Sequence, residues 1–385
     1  MVEPLKDLFL LDPDIVYMNH GSFGACPRAV FDVYQSFQRD LERGPAVFYS
    51  THQPGLMAQA RGALGAYLNV SGDDIVFFAN PTSAVRTLCA SLKLGPDDEV
   101  LATNWEYPTF ESAFDHLAYM RGIAYIRQPV PVPMGDPAAW VDALWEGVTP
   151  RTRILHLSHI SFTTSLIHPV AEVCRRAREA GIITFVDGAH ALSQIGVDLA
   201  AIDADVYFGA CHKWLCAPKG AGFVYAHPRV QALLAEPHVR SRPGAADAPI
   251  EPGAFAASYQ YQGTKDHAAV LSVPAAIAFQ AEHDWDAQRE RCHGLARQTL
   301  ERITALTGLE PVSAVDSRTF SQMVSIPVPD DLGEAIAAAW KADNIVGTQV
   351  KANGRRMLRA SFQAYNSQDD ADRYVAAVAR ALRDS

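Results

Sequence analysis

The residues best placed to do chemistry stand at the ends of two apolar runs. In ADVYFGACHKWLCAPKG a β-patterned run gives way to a Pro/Gly-rich turn, and Lys213 stands at the junction. In IITFVDGAHA, one connection earlier, the run ends on the acid Asp187, with His190 just beyond it. An amine at a strand's C-terminal edge can act as a nucleophile on a carbonyl. A carboxylate at the neighbouring edge can hold a positive charge facing it. Open α/β sheets build their sites outside the carboxyl ends of their strands.

Further candidates follow the same pattern. The strand DDIVFFAN runs into PTSAVRTLCASLKL, which puts Thr82 and Ser83 at the start of a helix, where free backbone N–H groups and two hydroxyls make an anion site as well as a cap. Tyr107 lies between the strand EVLATN and a Pro-started helix, positioned to lay an aromatic face on a flat ring. Arg359 sits inside the apolar strand MLRASF, where a cation is costly unless a carboxylate from the protein or a ligand meets it. Lysine, aspartate, an anion turn, a stacking aromatic and an arginine are together the groups that a pyridoxal phosphate site needs. His156 and His159 in HLSHI point to opposite faces of a strand, so no metal site is expected there. No GxGxxG follows the first strand, and there is no Walker loop, which removes the fingerprints of dinucleotide and nucleotide binding.

The elements that must position these groups alternate. DDIVFFAN, EVLATN, AYIRQPV, RILHLSHI, IITFVDGA, ADVYFGAC and GAGFVYAH read as strands, with helices between most of them. This predicts an α/β fold with a mainly parallel central sheet sandwiched by helices, followed by a smaller α+β C-terminal domain. The expected division is an N-terminal segment over 1–20, a large domain over 21–270 and a small domain over 271–385. A helix is expected over 29–43, stopped by Gly44-Pro45, then an aromatic loop PAVFYSTHQP, and a single long helix from Ala268 to Thr307. Residues 236–256 are dense in Pro, Gly and Ala and read as a long irregular connection bordering the site.

Composition sets the outer limits. The 385 residues carry a net charge of -10 without a basic cluster, which argues against nucleic acid as the partner. The six cysteines are scattered without CxxC, as in a protein of the reducing cytoplasm. The first residues lack the basic-then-apolar order of a signal peptide, and no apolar run is long enough to cross a bilayer, so a cytoplasmic protein without a membrane partner is expected.

MNHGSFGACP, FVDGAHA, CHKWLCAPKGAGF, YQGTKD and LRASFQAYNS together resemble the fold-type I pyridoxal phosphate enzymes of the class V aminotransferase family, and within it the isopenicillin N epimerase-like branch. The resemblance implies that Lys213 forms the Schiff base with the cofactor, that Asp187 holds the pyridine nitrogen, that His190 contacts the ring hydroxyl and that Tyr107 stacks on the ring. It implies phosphate contacts from Thr82, Ser83 and His212, and from Gly263 and Thr264 reaching the neighbouring subunit of a homodimer. Arg359 would clamp the α-carboxylate of an amino-acid substrate, with Asn19, His20 and Phe48 bordering it. Ala210 departs from the desulfurase pattern, which has a hydroxyl there. No cysteine occurs between Ser313 and Arg359, where a persulfide-forming desulfurase needs a thiol.

The implied reaction is Cα deprotonation of an α-amino acid by Lys213 through a quinonoid. Epimerisation or β-elimination with C–S cleavage is the expected outcome; transamination and decarboxylation or deamination are alternatives, and a non-catalytic binding protein is a remote one. Tyr49, Tyr259 and Tyr261 are the sequence's candidates for a second acid on the opposite face.

Overall fold

The computed structural model describes residues 2–234, 254–315 and 318–384. Its central sheet has seven strands: β1 (Ile75–Phe78), β2 (Glu99–Thr103), β3 (Ala124–Gln128), β4 (Thr152–Ser158), β5 (Ile183–Asp187), β6 (Val206–Ala210) and β7 (Gly222–Ala226). Their spatial order is β1-β7-β6-β5-β4-β2-β3. All pairings are parallel except the two made by β7, which runs antiparallel to β1 and β6. The strands are Val-, Ile- and Phe-rich without alternation because both faces are buried, Leu101, Leu155, Val186 and Tyr207 belonging to one core cluster and Val100, Ile154, Phe185 and Phe208 to another.

A second sheet is antiparallel and three-stranded: β8 (Met323–Val328), β9 (Gln349–Ala352) and β10 (Arg355–Ser361), with β10 in the middle. It shares a separate core cluster with the helices Trp285–Thr307, Gly333–Ala342 and Gln368–Arg383. The N-terminal Val16–Tyr17 pairs in parallel with Ile345–Val346, and Ser361 N–H donates to the Met18 carbonyl at 2.9 Å. The start of the chain is thereby tied to the small sheet and brought to the end of β10.

Three expectations are corrected. PAVFYSTHQP is not a loop: Pro45–Val47 is helical and Phe48–His52 is a π-helical turn leading into the helix Gln53–Leu68. Ala268 to Thr307 is not one helix but three, Ala268–Leu271, Val273–Glu282 and Trp285–Thr307. Pro274 occupies the first turn of the second, and Asp284 takes a left-handed conformation while its side chain caps the third. The helix opening at Thr82 and Ser83 is Pro81–Ser91, and its cap is Asn80, whose Oδ1 accepts from the Ser83 N–H at 2.9 Å. Most of the 236–256 connection lies outside the described residues. No described helix is long and apolar enough to cross a membrane.

Candidate active site

Lys213 and Asp187 approach one another because β5 and β6 are parallel neighbours and both end at the same edge, with Asp187 opposite Phe208. β6 stops at Ala210, and the following turn carries Lys213 over the strand ends, where its Nζ lies 3.2 Å from Nε2 of His190. Burial pushes the amine down to about 8; Asp187 opposes this and Arg359 reinforces it. Asp187 is buried, and burial pushes its carboxyl up to about 6, offset in part by the Ala189 N–H on Oδ1 at 2.9 Å and by Lys213. No protein hydrogen bond reaches Oδ2 among the described residues. The site therefore holds an amine that loses its proton near pH 8 and a buried acceptor with one open oxygen.

Arg359 is fully buried, a rare state for a guanidinium. Its Nη2 donates to Ser22 Oγ at 2.6 Å and its Nη1 to the Phe162 carbonyl at 3.1 Å, and its Cζ lies 4.6 Å above the Phe162 ring. Nε has no partner, and no described carboxylate pairs with it. Burial holds this cation down to about 10. Ser22 passes its own proton to Asn19 Oδ1 at 2.6 Å, so Asn19 reaches the site through Ser22.

The N-terminal HGSFG segment is fastened beneath the lysine. His20 is wholly buried, with Nδ1 3.1 Å from Tyr365 Oη and Nε2 3.0 Å from the Lys213 carbonyl. Gly24 has φ +69°, and a Cβ there would lie 1.9 Å from the His212 carbonyl oxygen, so only glycine permits the approach. His20 thus holds the lysine's backbone with Nε2 while Nδ1 is anchored on Tyr365.

At the helix Pro81–Ser91, Ser83 gives its N–H and its hydroxyl to Asn80, the latter at 2.8 Å, which leaves Thr82 as the hydroxyl without a protein bond among the described residues. Gly222 makes room for this turn, since a Cβ there would meet Asn80 Cα at 2.7 Å. His212 donates from Nδ1 to the Ala221 carbonyl at 2.9 Å, leaving Nε2 free, and burial pushes the ring down to about 4. Tyr107 caps the helix Pro108–Arg121, with its ring edge-on to Phe162 at 5.0 Å.

Other candidates are placed elsewhere. Gly263 and Thr264 line a surface pocket of about 600 Å³ with Tyr49, Arg61, Gln260, Tyr261 and His267. Phe48 packs into the core cluster beside Tyr49. Tyr49 donates to the Lys265 carbonyl at 2.7 Å, Tyr259 is 1% exposed in the core with Phe255, and Tyr261 is 60% exposed. Among the described residues no cluster of His, Cys, Asp or Glu is suited to a metal.

Sequence reasoning missed four residues that the structure brings in. Ser22 and Phe162 hold Arg359, and their signals were the HGSFG motif and the apolar residue after SHIS. Trp214 packs on His20 with ring centroids 5.0 Å apart. Glu106, beside Tyr107, is buried and accepts from Thr103 Oγ1 and Ser158 Oγ, each at 2.6 Å, while His156 Nε2 stands 3.6 Å away. Burial, reinforced by the nearby Asp187, pushes its carboxyl up to about 8 against those two hydroxyl bonds. Nothing in the spacing of NWEYP separates this acid from a surface glutamate.

An amine, a buried acid and a free anion turn at the ends of parallel strands define a pyridoxal phosphate site on a fold-type I scaffold, and the residues fit that cofactor: Asp187 has an open oxygen, while Thr82 and the His212 Nε2 are unspent. The aminotransferase class-V family model matches residues 25–374, and the chain belongs to this family of pyridoxal phosphate enzymes. It is 32% identical over 380 residues to isopenicillin N epimerase from Amycolatopsis lactamdurans, covering 96% of this chain and 95% of the relative. It is 27% identical over 382 residues to putative L-cysteine desulfhydrase 2 from Oryza sativa subsp. japonica, covering 92% of this chain and 75% of that one. The crystal structure of the cysteine desulfurase CsdA from Escherichia coli shares the fold, with a TM-score of 0.81 at 23% identity over 98% of this chain and 97% of that chain.

Proposed function

We propose that this enzyme takes a specialised α-amino acid by its carboxylate, removes the Cα proton with Lys213 and returns a proton to that carbon, an epimerisation of the isopenicillin N epimerase kind. The observation that carries the reading is Arg359, a buried cation with a free Nε and no carboxylate partner among the described residues. Leaving a buried charge unpaired costs several kcal/mol. A substrate carboxylate beside Ser22 would supply the missing countercharge with planar, charge-assisted bonds.

Bound pyridoxal phosphate would supply the electron-withdrawing ring that acidifies Cα. Asp187 would hold the proton of the ring nitrogen on its open oxygen. His190 would face the ring hydroxyl, and Tyr107 with Phe162 would wall the ring. Thr82 and His212 would take the phosphate. Lys213, held near neutrality by burial, would serve as the base at Cα. The Gly263–Thr264 pocket, on a surface of its own, would complete the phosphate site of a second copy, which makes a homodimer the working assembly.

The second reading, β-elimination with C–S cleavage, shares every step up to proton removal and is supported by the desulfhydrase relative. A persulfide route is disfavoured, because all six cysteines are buried and free. The test is to incubate the holoenzyme with L- and D-amino acids and cysteine conjugates in heavy water and follow them by proton NMR with chiral analysis. Loss of the Cα–H signal with inversion supports epimerisation. A keto acid with a released thiol establishes lysis instead, and a colourless protein indifferent to added pyridoxal phosphate sinks both.

A further inference from the structure

His190 is touched by two nitrogen groups from one short turn. Lys213 Nζ lies 3.2 Å from its Nε2, and the next residue, Trp214, donates its indole Nε1–H to its Nδ1 at 3.4 Å. An indole nitrogen can only donate. The atom that receives it must carry a lone pair, so a neutral imidazole in this position bears its proton on Nε2. We propose that Trp214 is a positioning residue that fixes His190 as the Nε2–H tautomer, so that His190 meets Lys213, and the acceptor oxygen of a molecule bound there, as a hydrogen-bond donor.

The surroundings support a neutral ring. Burial, Lys213, Arg359 and His20 all hold its pKa well below the usual histidine value. Its own carbonyl accepts from Gln194 Nε2 at 2.6 Å, and the Phe162 ring stands 6.2 Å away. Gly21 lies against its Cε1 edge. No carboxylate bonds to either ring nitrogen among the described residues, so the tautomer is set between the indole at Nδ1 and Lys213 at Nε2, where an ammonium would oppose the indole and a neutral amine would agree with it. Trp214 is itself held: it is fully buried, packs at a tilt against His20, and its carbonyl accepts from Gln280 Nε2 at 3.0 Å, while Ser193 Oγ donates to Gln280 Oε1 at 2.6 Å.

The consequence falls on Lys213. An Nε2–H facing Nζ favours the neutral amine, which has a lone pair to accept it, whereas a bare Nε2 would favour the ammonium. Trp214 thereby acts with burial to keep the amine deprotonated. The inference rests on Lys213 as the reactive amine but not on which reaction follows.

The test uses the full-length protein carrying 15N-labelled histidine. His190→Gln identifies the His190 signals among those of the thirteen histidines. In the wild type above pH 7, a protonated Nε2 and an unprotonated Nδ1 are expected with and without pyridoxal phosphate. In Trp214→Phe, which removes the donor while keeping a smaller aromatic ring in place, a tautomer mixture is expected, and the pH midpoint for acylation of Lys213 in the cofactor-free protein should rise by about one unit. A wild-type Nδ1–H tautomer overturns the proposal whether or not the variant folds, as does a folded Trp214→Phe with unchanged tautomer and midpoint. Failure of the proposed reaction in substrate assays would leave these signals untouched, so the two readings fail separately.

Discussion

His20 Nε2 and the carbonyl oxygen of Lys213 lie 3.0 Å apart, joining the N-terminal segment to the backbone that carries the buried amine. The contact works because Gly24 lets the chain pass against His212 with no side chain between. Gly24→Ala should therefore displace the lysine turn. A loss of about 2 kcal/mol or more of stability is expected, with cofactor retention lost alongside. Thermal melting and the bound pyridoxal phosphate content measure both; a variant with unchanged melting and full cofactor would contradict the tie.

On the proposed reading, Arg359 and Ser22 would act on the substrate rather than on the cofactor. Arg359→Lys keeps the charge but loses the fork, and kcat/KM should fall about a hundredfold, mostly through KM. Ser22→Ala, which removes one hydrogen bond to the guanidinium, should cost about tenfold. Cofactor absorbance should be intact in both. Steady-state kinetics on the substrate found by NMR would detect a kcat effect instead, which would place Arg359 outside the carboxylate clamp.

Lys213 should titrate early. Its amine, pushed down to about 8 by burial, becomes a free base as the pH rises through that value, about two units before an ordinary lysine. Acylation of the cofactor-free protein, followed residue by residue by mass spectrometry, should show Lys213 reacting with a midpoint near 8. Lys213→Ala should abolish Cα–H exchange in heavy water; surviving exchange removes it as the base.

Glu106 gives a stability signature of opposite sense to most carboxyls. Its pKa is raised from 4.5 to about 8 in the folded protein, so its contribution is fully present below pH 4.5 and is lost as the pH rises towards 8. Glu106→Gln, which resembles the protonated acid, escapes that loss. Relative to wild type the variant should gain roughly 1 kcal/mol per pH unit across this window. Denaturation at pH 5, 6, 7 and 8 checks the slope, and parallel curves for the two proteins would mean that Glu106 is ionised in the fold.

Much of the site was legible as sequence because its groups fall at the ends of apolar runs. Asp187 and Lys213 end strands or follow them directly, so pattern alone places them at one edge of a parallel sheet. Arg359 stood out because a cation within MLRASF has few ways to be tolerated. Family motifs added roles for Thr82, Tyr107, His190 and His212. The helix breaks at Pro274 and Asp284 were less legible, since the apolar spacing runs on through both.

The sequence by itself determined the alternating strands and helices, the edge at which chemistry occurs and the residue types that meet there, because those follow from periodicity and from the cost of burying charge. Only the tertiary structure decided which distant groups support them. His20 lies far from Lys213 in the chain, and Ser22 and Phe162 lie far from Arg359; the N-terminal residues reach them as their segment pairs with Ile345–Val346 and bridges to Ser361 at the end of β10. The proton positions on Glu106 and His190 likewise depend on burial and on neighbours from other elements, which no local pattern encodes.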